Sequence, residues 1–202
     1  MTSGTSPFLL ALGDSLTAGH GLLPHESLAA RLQMLLRERW PDATVHNAGA
    51  SGDTTADALR RLPRVLAALT RKPDLALVEL GANDLLRKVL PARTRDSLGL
   101  IVEELGRCGI PILLATFEPP PLLAAFAGGY ASIYRDIAAQ HGLATCPFFP
   151  PGVLGHPDLV LADRIHPNAR AIDMVARAMT PRIVEMLEEA SVDPAGRTIG
   201  LS

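Results

Sequence analysis

Five short apolar runs, separated by segments of helical period, constrain this chain more than any other feature. The runs are Phe8–Leu12, Thr44–His46, Leu75–Leu80, Ile112–Thr116 and Ala144–Cys146. Most are apolar throughout rather than at alternate positions. A strand covered on one face alternates, whereas parallel strands covered on both faces do not. Between the runs, apolar residues recur at i, i+3, i+4 and i+7, which lays a stripe along one side of a helix. Leu28, Leu32, Leu35 and Leu36 make the first stripe, and Leu59, Leu62, Leu66 and Leu69 the second. Leu98, Ile101, Val102 and Leu105 make a third, and Ile133 and Ile137 a shorter fourth. Ile172, Val175, Met179, Ile183, Met186 and Leu187 mark a final helix, with a bend expected at Pro181, where a backbone donor is missing. This alternation predicts right-handed βαβ crossovers and a three-layer α/β/α sandwich around a five-stranded parallel sheet.

With 202 residues and 48% hydrophobic content, the chain can bury a substantial core in one domain. Neither a repeat nor a linker-like stretch divides it, so residues 1–190 read as one domain. The tail over 191–202 loses its periodicity. A net charge of −2, with two lysines (Lys72 and Lys88) and scattered arginines, offers no basic patch for nucleic acid or an anionic membrane. No apolar stretch approaches the length of a membrane span. Phe8–Leu12 is too short for a signal peptide. The chain as it stands therefore reads as cytoplasmic, with a mature exported form as the open alternative. Cys108 and Cys146 form no CxxC pair and read as packed thiols.

Several motifs begin and then fail. Gly19-His20-Gly21 opens like a dinucleotide fingerprint, but the sixth position is Pro24. His25-Glu26 opens like a zinc-protease helix, but Ala29 stands where the second histidine belongs. There is no phosphate-binding loop, and Thr17 breaks any Gly-x-Ser-x-Gly elbow. A receiver domain needs a lysine late in the sheet, and none follows Lys88. No sequence motif calls for a metal.

Ligands of open parallel sheets bind beyond the carboxyl ends of the strands. Three polar loops follow the first three runs there: Gly13-Asp14-Ser15-Leu16, Asn47 to Asp53, and Gly81-Ala82-Asn83-Asp84. Ser15, between a strand and a helix, can present its hydroxyl as a nucleophile, or it can simply cap the helix. His166 lies three residues after Asp163, a spacing that brings a carboxylate to the imidazole Nδ1–H and turns Nε2 towards a serine. A loop histidine near a helix start is the plainer account. His156 also precedes a proline but has Val153 at the matching position, so nothing orients it. Gly52 can offer an unobstructed backbone N–H, and Asn83 a side-chain amide, to a tetrahedral oxyanion. Singly, they read as a turn glycine and an Asx-turn asparagine. Their conjunction in the loops of one crevice favours acyl transfer.

Gly13-Asp14-Ser15-Leu16, Gly52, Gly81-Ala82-Asn83-Asp84 and Asp163-Arg164-Ile165-His166 resemble, in order and spacing, the four blocks of the SGNH (GDSL) hydrolase family. The resemblance spans about residues 8–188. The runs Asn-Ala-Gly-Ala-Ser-Gly-Asp-Thr and Leu-Val-Glu-Leu-Gly-Ala-Asn-Asp are similar to its bacterial thioesterase I, lysophospholipase and arylesterase branch. The resemblance implies a flavodoxin-like sheet of order 2-1-3-4-5. It implies Ser15 as nucleophile and Asp163 and His166 as its partners. The Ser15 N–H, the Gly52 N–H and the Asn83 amide are then the oxyanion donors. It implies a small acyl-ester substrate and no metal or organic cofactor. Two features depart from that branch: many members carry an export signal, and His20 stands where a tyrosine is often seen.

Substrate class is less constrained. Phe117 to Phe126 and Phe148 to Leu154 are apolar enough to wall an acyl pocket or to pack against the last helix. The stretch from Leu85 to Pro91 follows Asn83 and could gate the site. Eight aromatic residues leave little for stacking sugars. A carbohydrate O-acetylesterase is therefore second to an esterase or thioesterase. A flavodoxin-like binding module without chemistry is a more distant third. Asp14 is expected to order the nucleophile turn, Asp53 and Thr54 to cap a helix, Glu79 to be structural, and Cys146 to be unreactive.

Overall fold

A computed structural model describes residues 6–117, 128–130 and 132–192 of the chain. Five strands, β1 (Phe8–Gly13), β2 (Thr44–Gly49), β3 (Leu75–Glu79), β4 (Ile112–Thr116) and β5 (Ala144–Pro147), form one sheet. Every pairing is parallel and the order is β2-β1-β3-β4-β5. Among the described residues, seven α-helices connect and cover it: α1 (Ser15–Ala18), α2 (Leu28–Arg37), α3 (Thr55–Ala67), α4 (Ala82–Leu86), α5 (Pro91–Arg107), α6 (Ile133–His141) and α7 (Ala169–Val192). Pro181 lies inside α7, which continues as helix on both sides of it. Among the described residues, no helix is long and apolar enough to cross a membrane.

Alternate side chains of each strand point to opposite faces of a sheet, so a buried strand feeds two cores. Leu10 and Leu12 of β1, with Ala76 and Val78 of β3, pack under α3, α5 and α6, where Leu62, Leu98, Ile101 and Ile133 are fully buried. Leu9, Leu75, Leu77 and Leu113 face the other way, under α2 and α7, against Leu28, Leu32, Leu36, Ile172 and Val175. The apolar stripes thus become the two inner helix faces of a three-layer sandwich. Ser27 caps α2 through Ala30 N–H at 3.3 Å, and Asn168 accepts from Ala171 N–H at 3.1 Å at the start of α7. Thr54 and Asp57 exchange side-chain and backbone bonds at the start of α3, as in a capping box.

Register positions the site. Gly13 of β1 pairs with Gly49 of β2 on one side and Glu79 of β3 on the other. The carboxyl ends of three strands therefore finish level, and the loops that leave them open onto one crevice. β2 runs three residues beyond its apolar segment, through Asn47, Ala48 and Gly49. As an edge strand it has one side in solvent, so polar residues continue it at little cost.

The stretch after Asn83 is a bonded turn rather than an open loop. Arg87 N–H donates to Asn83 O at 2.9 Å and Val89 N–H to Asp84 O at 2.9 Å. The Tyr130 hydroxyl donates to Val89 O, and α5 starts at Pro91. Phe148 and Val153 do not wall a pocket: both are buried, Phe148 in the α2/α7 core and Val153 beside Leu159 and Ala171. Of the other apolar segment Phe117 packs on the α3/α5 core, while 118–126 lies outside the described residues, as does the tail from 193.

Candidate active site

Ser15 sits at the first residue of α1, directly after β1, with 9% of its surface exposed. Its Oγ is 3.1 Å from His166 Nε2, although 151 residues separate the two in sequence. The other ring nitrogen, Nδ1, is 2.7 Å from Asp163 Oδ2. A carboxylate at Nδ1 fixes the proton there, which leaves Nε2 as the acceptor for the serine hydroxyl. The local turn holds Asp163 in place. Its Oδ1 accepts from Ile165 N–H at 2.9 Å and His166 N–H at 3.0 Å. The His166 bond, followed by these two, holds the Asp163 carboxyl well below the usual carboxylate range. Leu161 N–H bonds His166 O at 2.8 Å, and Val160 bridges Pro167, closing the loop into a short antiparallel bracket.

Gly52 adopts φ +86°, a backbone region that side-chain-bearing residues rarely enter. Its N–H and that of Ser15 have no protein acceptor among the described residues. Asn83, in the first turn of α4, donates from Nδ2 to Asp14 Oδ2 at 2.9 Å and to Asp53 O at 3.0 Å. The five residues singled out from the sequence thus lie around one crevice, with the Asn83 amide hydrogens engaged by protein oxygens.

Beneath the serine turn lies a carboxyl pair that sequence reasoning described only loosely. Asp14 is fully buried and accepts from Leu16 N–H at 2.9 Å, which orders the turn as expected. Glu79, also buried, accepts from the Thr17 hydroxyl at 2.9 Å and from Asp14 N–H at 3.4 Å. Burial pushes Asp14 up to about 6, against the pull of its Leu16, Asn83 and Glu79 bonds. Burial, with the neighbouring Asp14 charge, pushes Glu79 well above the ordinary range. The two shifts run the same way, and the mutual bond lowers Asp14 while raising Glu79, so a proton held by the pair favours Glu79.

Other sequence expectations meet mixed outcomes. Thr54 caps α3, but the Asp53 carboxylate instead pairs with Arg61 at 2.5 Å, and the Asp53 carbonyl anchors Asn83. Burial raises the Cys146 thiol to about 11, consistent with an inert strand-end cysteine. His156 accepts from Asp158 N–H at 3.2 Å and plays no part in the crevice. Two residues were missed as neighbours of the site. Arg87 donates to Gly52 O at 2.6 Å, and His20 places its ring 4.3 Å from that of His166. No local spacing signals either contact.

The chain is similar to known proteins along most of its length. The sequence pattern of the GDSL-like lipase/acylhydrolase family matches residues 11–171. The chain is 37% identical over 178 residues to "Esterase TesA" of Pseudomonas aeruginosa, covering 88% of this chain and 84% of that protein. It is 33% identical over 185 residues to "Thioesterase 1/protease 1/lysophospholipase L1" of Escherichia coli, covering 91% and 86%. It also resembles the crystal structure of AlinE4, an SGNH-hydrolase family esterase. There the TM-score is 0.75 and the identity 42%, over 91% of this chain and 98% of that one.

Proposed function

The chain belongs to the GDSL-like lipase/acylhydrolase family, and on that premise we propose how its crevice cleaves an ester. It is a serine hydrolase acting on ester bonds. Ser15 Oγ attacks the acyl carbonyl while His166 Nε2 takes its proton, and Asp163 stabilises the imidazolium without becoming protonated. The oxyanion is received by the N–H groups of Ser15 and Gly52. Asn83 contributes by sharing one of the two amide hydrogens now held by Asp14 and Asp53. His166 returns the proton to a leaving alcohol, and a leaving thiolate departs with less need of it. The Ser15 acyl-enzyme is then hydrolysed by water that the same imidazole activates. Residues 1–190 act as one catalytic domain on a small acyl ester, with thioesters as a second leaving-group class.

The observation that carries this reading is the unbroken relay from Asp163 Oδ2 through the His166 ring to Ser15 Oγ, at 2.7 and 3.1 Å. Its test is initial rates on p-nitrophenyl acetate, butyrate, octanoate and palmitate, with Ser15→Ala alongside. Turnover that vanishes in Ser15→Ala is expected, together with fluorophosphonate labelling of the wild-type serine alone. Undiminished turnover in Ser15→Ala removes Ser15 as nucleophile.

A further inference from the structure

The crevice contains one imidazole that the proposed reaction does not employ. His20 follows α1, and its backbone N–H bonds Ser15 O at 3.1 Å, which ties it to the nucleophile turn. Its side chain is exposed, and its ring lies tilted by 35° to that of His166 at a centroid separation of 4.3 Å. Two stacked imidazoles alone would be unremarkable at a protein surface. Here a third ligand joins them: one donor atom each of His20, Asp163 and His166 lies within 4.8 Å of the other two.

We propose that His20, Asp163 and His166 bind a divalent transition ion of the zinc type, and that its binding reversibly silences the hydrolase. Two imidazoles and one carboxylate are a ligand set that zinc accepts, with a further position left for solvent. Magnesium and calcium prefer oxygen ligands, so the site selects against them. Around a tetrahedral zinc, with bonds of about 2.0–2.1 Å, ligand atoms stand roughly 3.4 Å apart. The widest spacing must therefore tighten by about an ångström while the 2.7 Å Asp163–His166 pair opens slightly, and the exposed His20 ring turns inwards. Asp163 Oδ2 and His166 Nδ1 already stand 2.7 Å apart on a turn held by backbone bonds, so two of the three ligand atoms are in place before an ion arrives. An ion shared by Asp163 and His166 binds the ring at Nδ1, displacing the proton between them, and the neutral ring then carries its proton on Nε2, with no lone pair left to accept the Ser15 proton. Only that proton changes place, and a chelator reverses the effect. Binding requires only the three ligands, whereas silencing rests on His166 being the catalytic base.

The experiment is isothermal titration calorimetry of Zn²⁺ into the full chain, its Ser15→Ala form and its His20→Ala form, in buffer free of chelators. Inhibition of p-nitrophenyl butyrate hydrolysis is measured alongside, each protein against its own zinc-free rate. One zinc per chain is expected in wild type and Ser15→Ala, with binding at least 10-fold weaker in His20→Ala. The half-inhibiting zinc concentration should equal the wild-type dissociation constant, rise by the same factor in His20→Ala, and be abolished by EDTA. Equal zinc affinity in wild type and His20→Ala overturns the site, as does absence of binding at millimolar zinc. Zinc bound through His20 without loss of rate overturns the silencing. Esterase activity persisting in Ser15→Ala sinks the catalytic reading, and the calorimetric comparison still decides the metal site.

Discussion

Replacing Glu79 tests whether the buried carboxyl pair sustains the serine turn. Its carboxyl receives two donors, the Thr17 hydroxyl at 2.9 Å and Asp14 N–H at 3.4 Å, and it bonds the Asp14 carboxyl. Glu79→Ala strands both donors in the interior, at about 1–3 kcal/mol each, for an expected total of roughly 2–6 kcal/mol. Glu79→Gln keeps the accepting oxygen and offers Asp14 a permanent N–H, so its cost should stay under about 1 kcal/mol. The two variants differ from wild type in pH dependence as well. Asp14 is raised from 3.8 to about 6, so the folded state holds a proton that the unfolded chain releases. The stability this supplies is complete below about pH 4 and is lost as pH rises through about 6, an effect of about 3 kcal/mol. Glu79 is raised in the same direction, so it too keeps a proton that the unfolded chain releases, and the amide removes that loss of stability with rising pH. Relative to wild type, Glu79→Gln should therefore gain stability between pH 4.5 and 7.5. Urea unfolding midpoints at pH 4.5, 6 and 7.5 measure this directly. A Gln variant as unstable as the Ala variant would refute the reasoning, and so would one whose difference from wild type is constant with pH.

Other perturbations probe the rest of the crevice. Asn83→Ala should lower kcat by on the order of 10²–10³ on p-nitrophenyl butyrate, and an unchanged kcat removes Asn83 from the oxyanion donors. Asp163→Asn should lower kcat by on the order of 10²–10⁴ with KM little altered, because the ring loses its orienting acceptor; steady-state kinetics on a folded variant decides it. Gly81→Ala meets two obstacles, a φ of +117° and the Tyr134 hydroxyl that donates to Leu80 O at 2.8 Å. A loss of about 1–3 kcal/mol is expected in urea unfolding, and none would mean the turn relaxes freely. Asp84 accepts from Thr55 N–H at 2.9 Å, the Thr55 hydroxyl at 2.6 Å and the Thr94 hydroxyl at 3.1 Å, all buried. Asp84→Ala should cost roughly 3 kcal/mol or more, with a fall in thermal midpoint as the readout.

The fold was legible because burial on both faces writes itself into a parallel strand as an uninterrupted apolar run. β3 and β4 show this most plainly, with Leu75–Glu79 buried along its whole length. The extension of β2 through Asn47 and Gly49 was hidden, since an exposed edge accepts the same residues as a loop. Likewise the bonds that turn residues 85–91 into ordered structure come largely from backbone groups, which composition does not record. In the crevice, Asp163 and His166 could be paired from spacing alone because three residues of one turn bring them together. Arg87 on Gly52, His20 on His166 and Glu79 under Thr17 are tertiary meetings between distant segments, and no window of sequence contains them. Phe148 and Val153 were ambiguous for a related reason: an apolar side chain in a loop can face a ligand or a helix, and only the packing of α7 decided between them.

The separation of Ser15 from His166 has a consequence for how the molecule comes into being. The relay joins the first strand's end to a bracket near the last helix, 151 residues later. During synthesis β1, β2 and β3 can pair and bury Leu9 to Leu12 long before residue 166 leaves the ribosome, since domains assemble as the chain emerges. A nascent chain therefore carries an ordered serine before the proposed base, His166, has been made. On the proposed mechanism, hydrolytic competence arrives only when α7 docks against α2 and draws the bracket over the crevice. Truncation anywhere before residue 166 should leave a chain without turnover, however much of the sheet it retains.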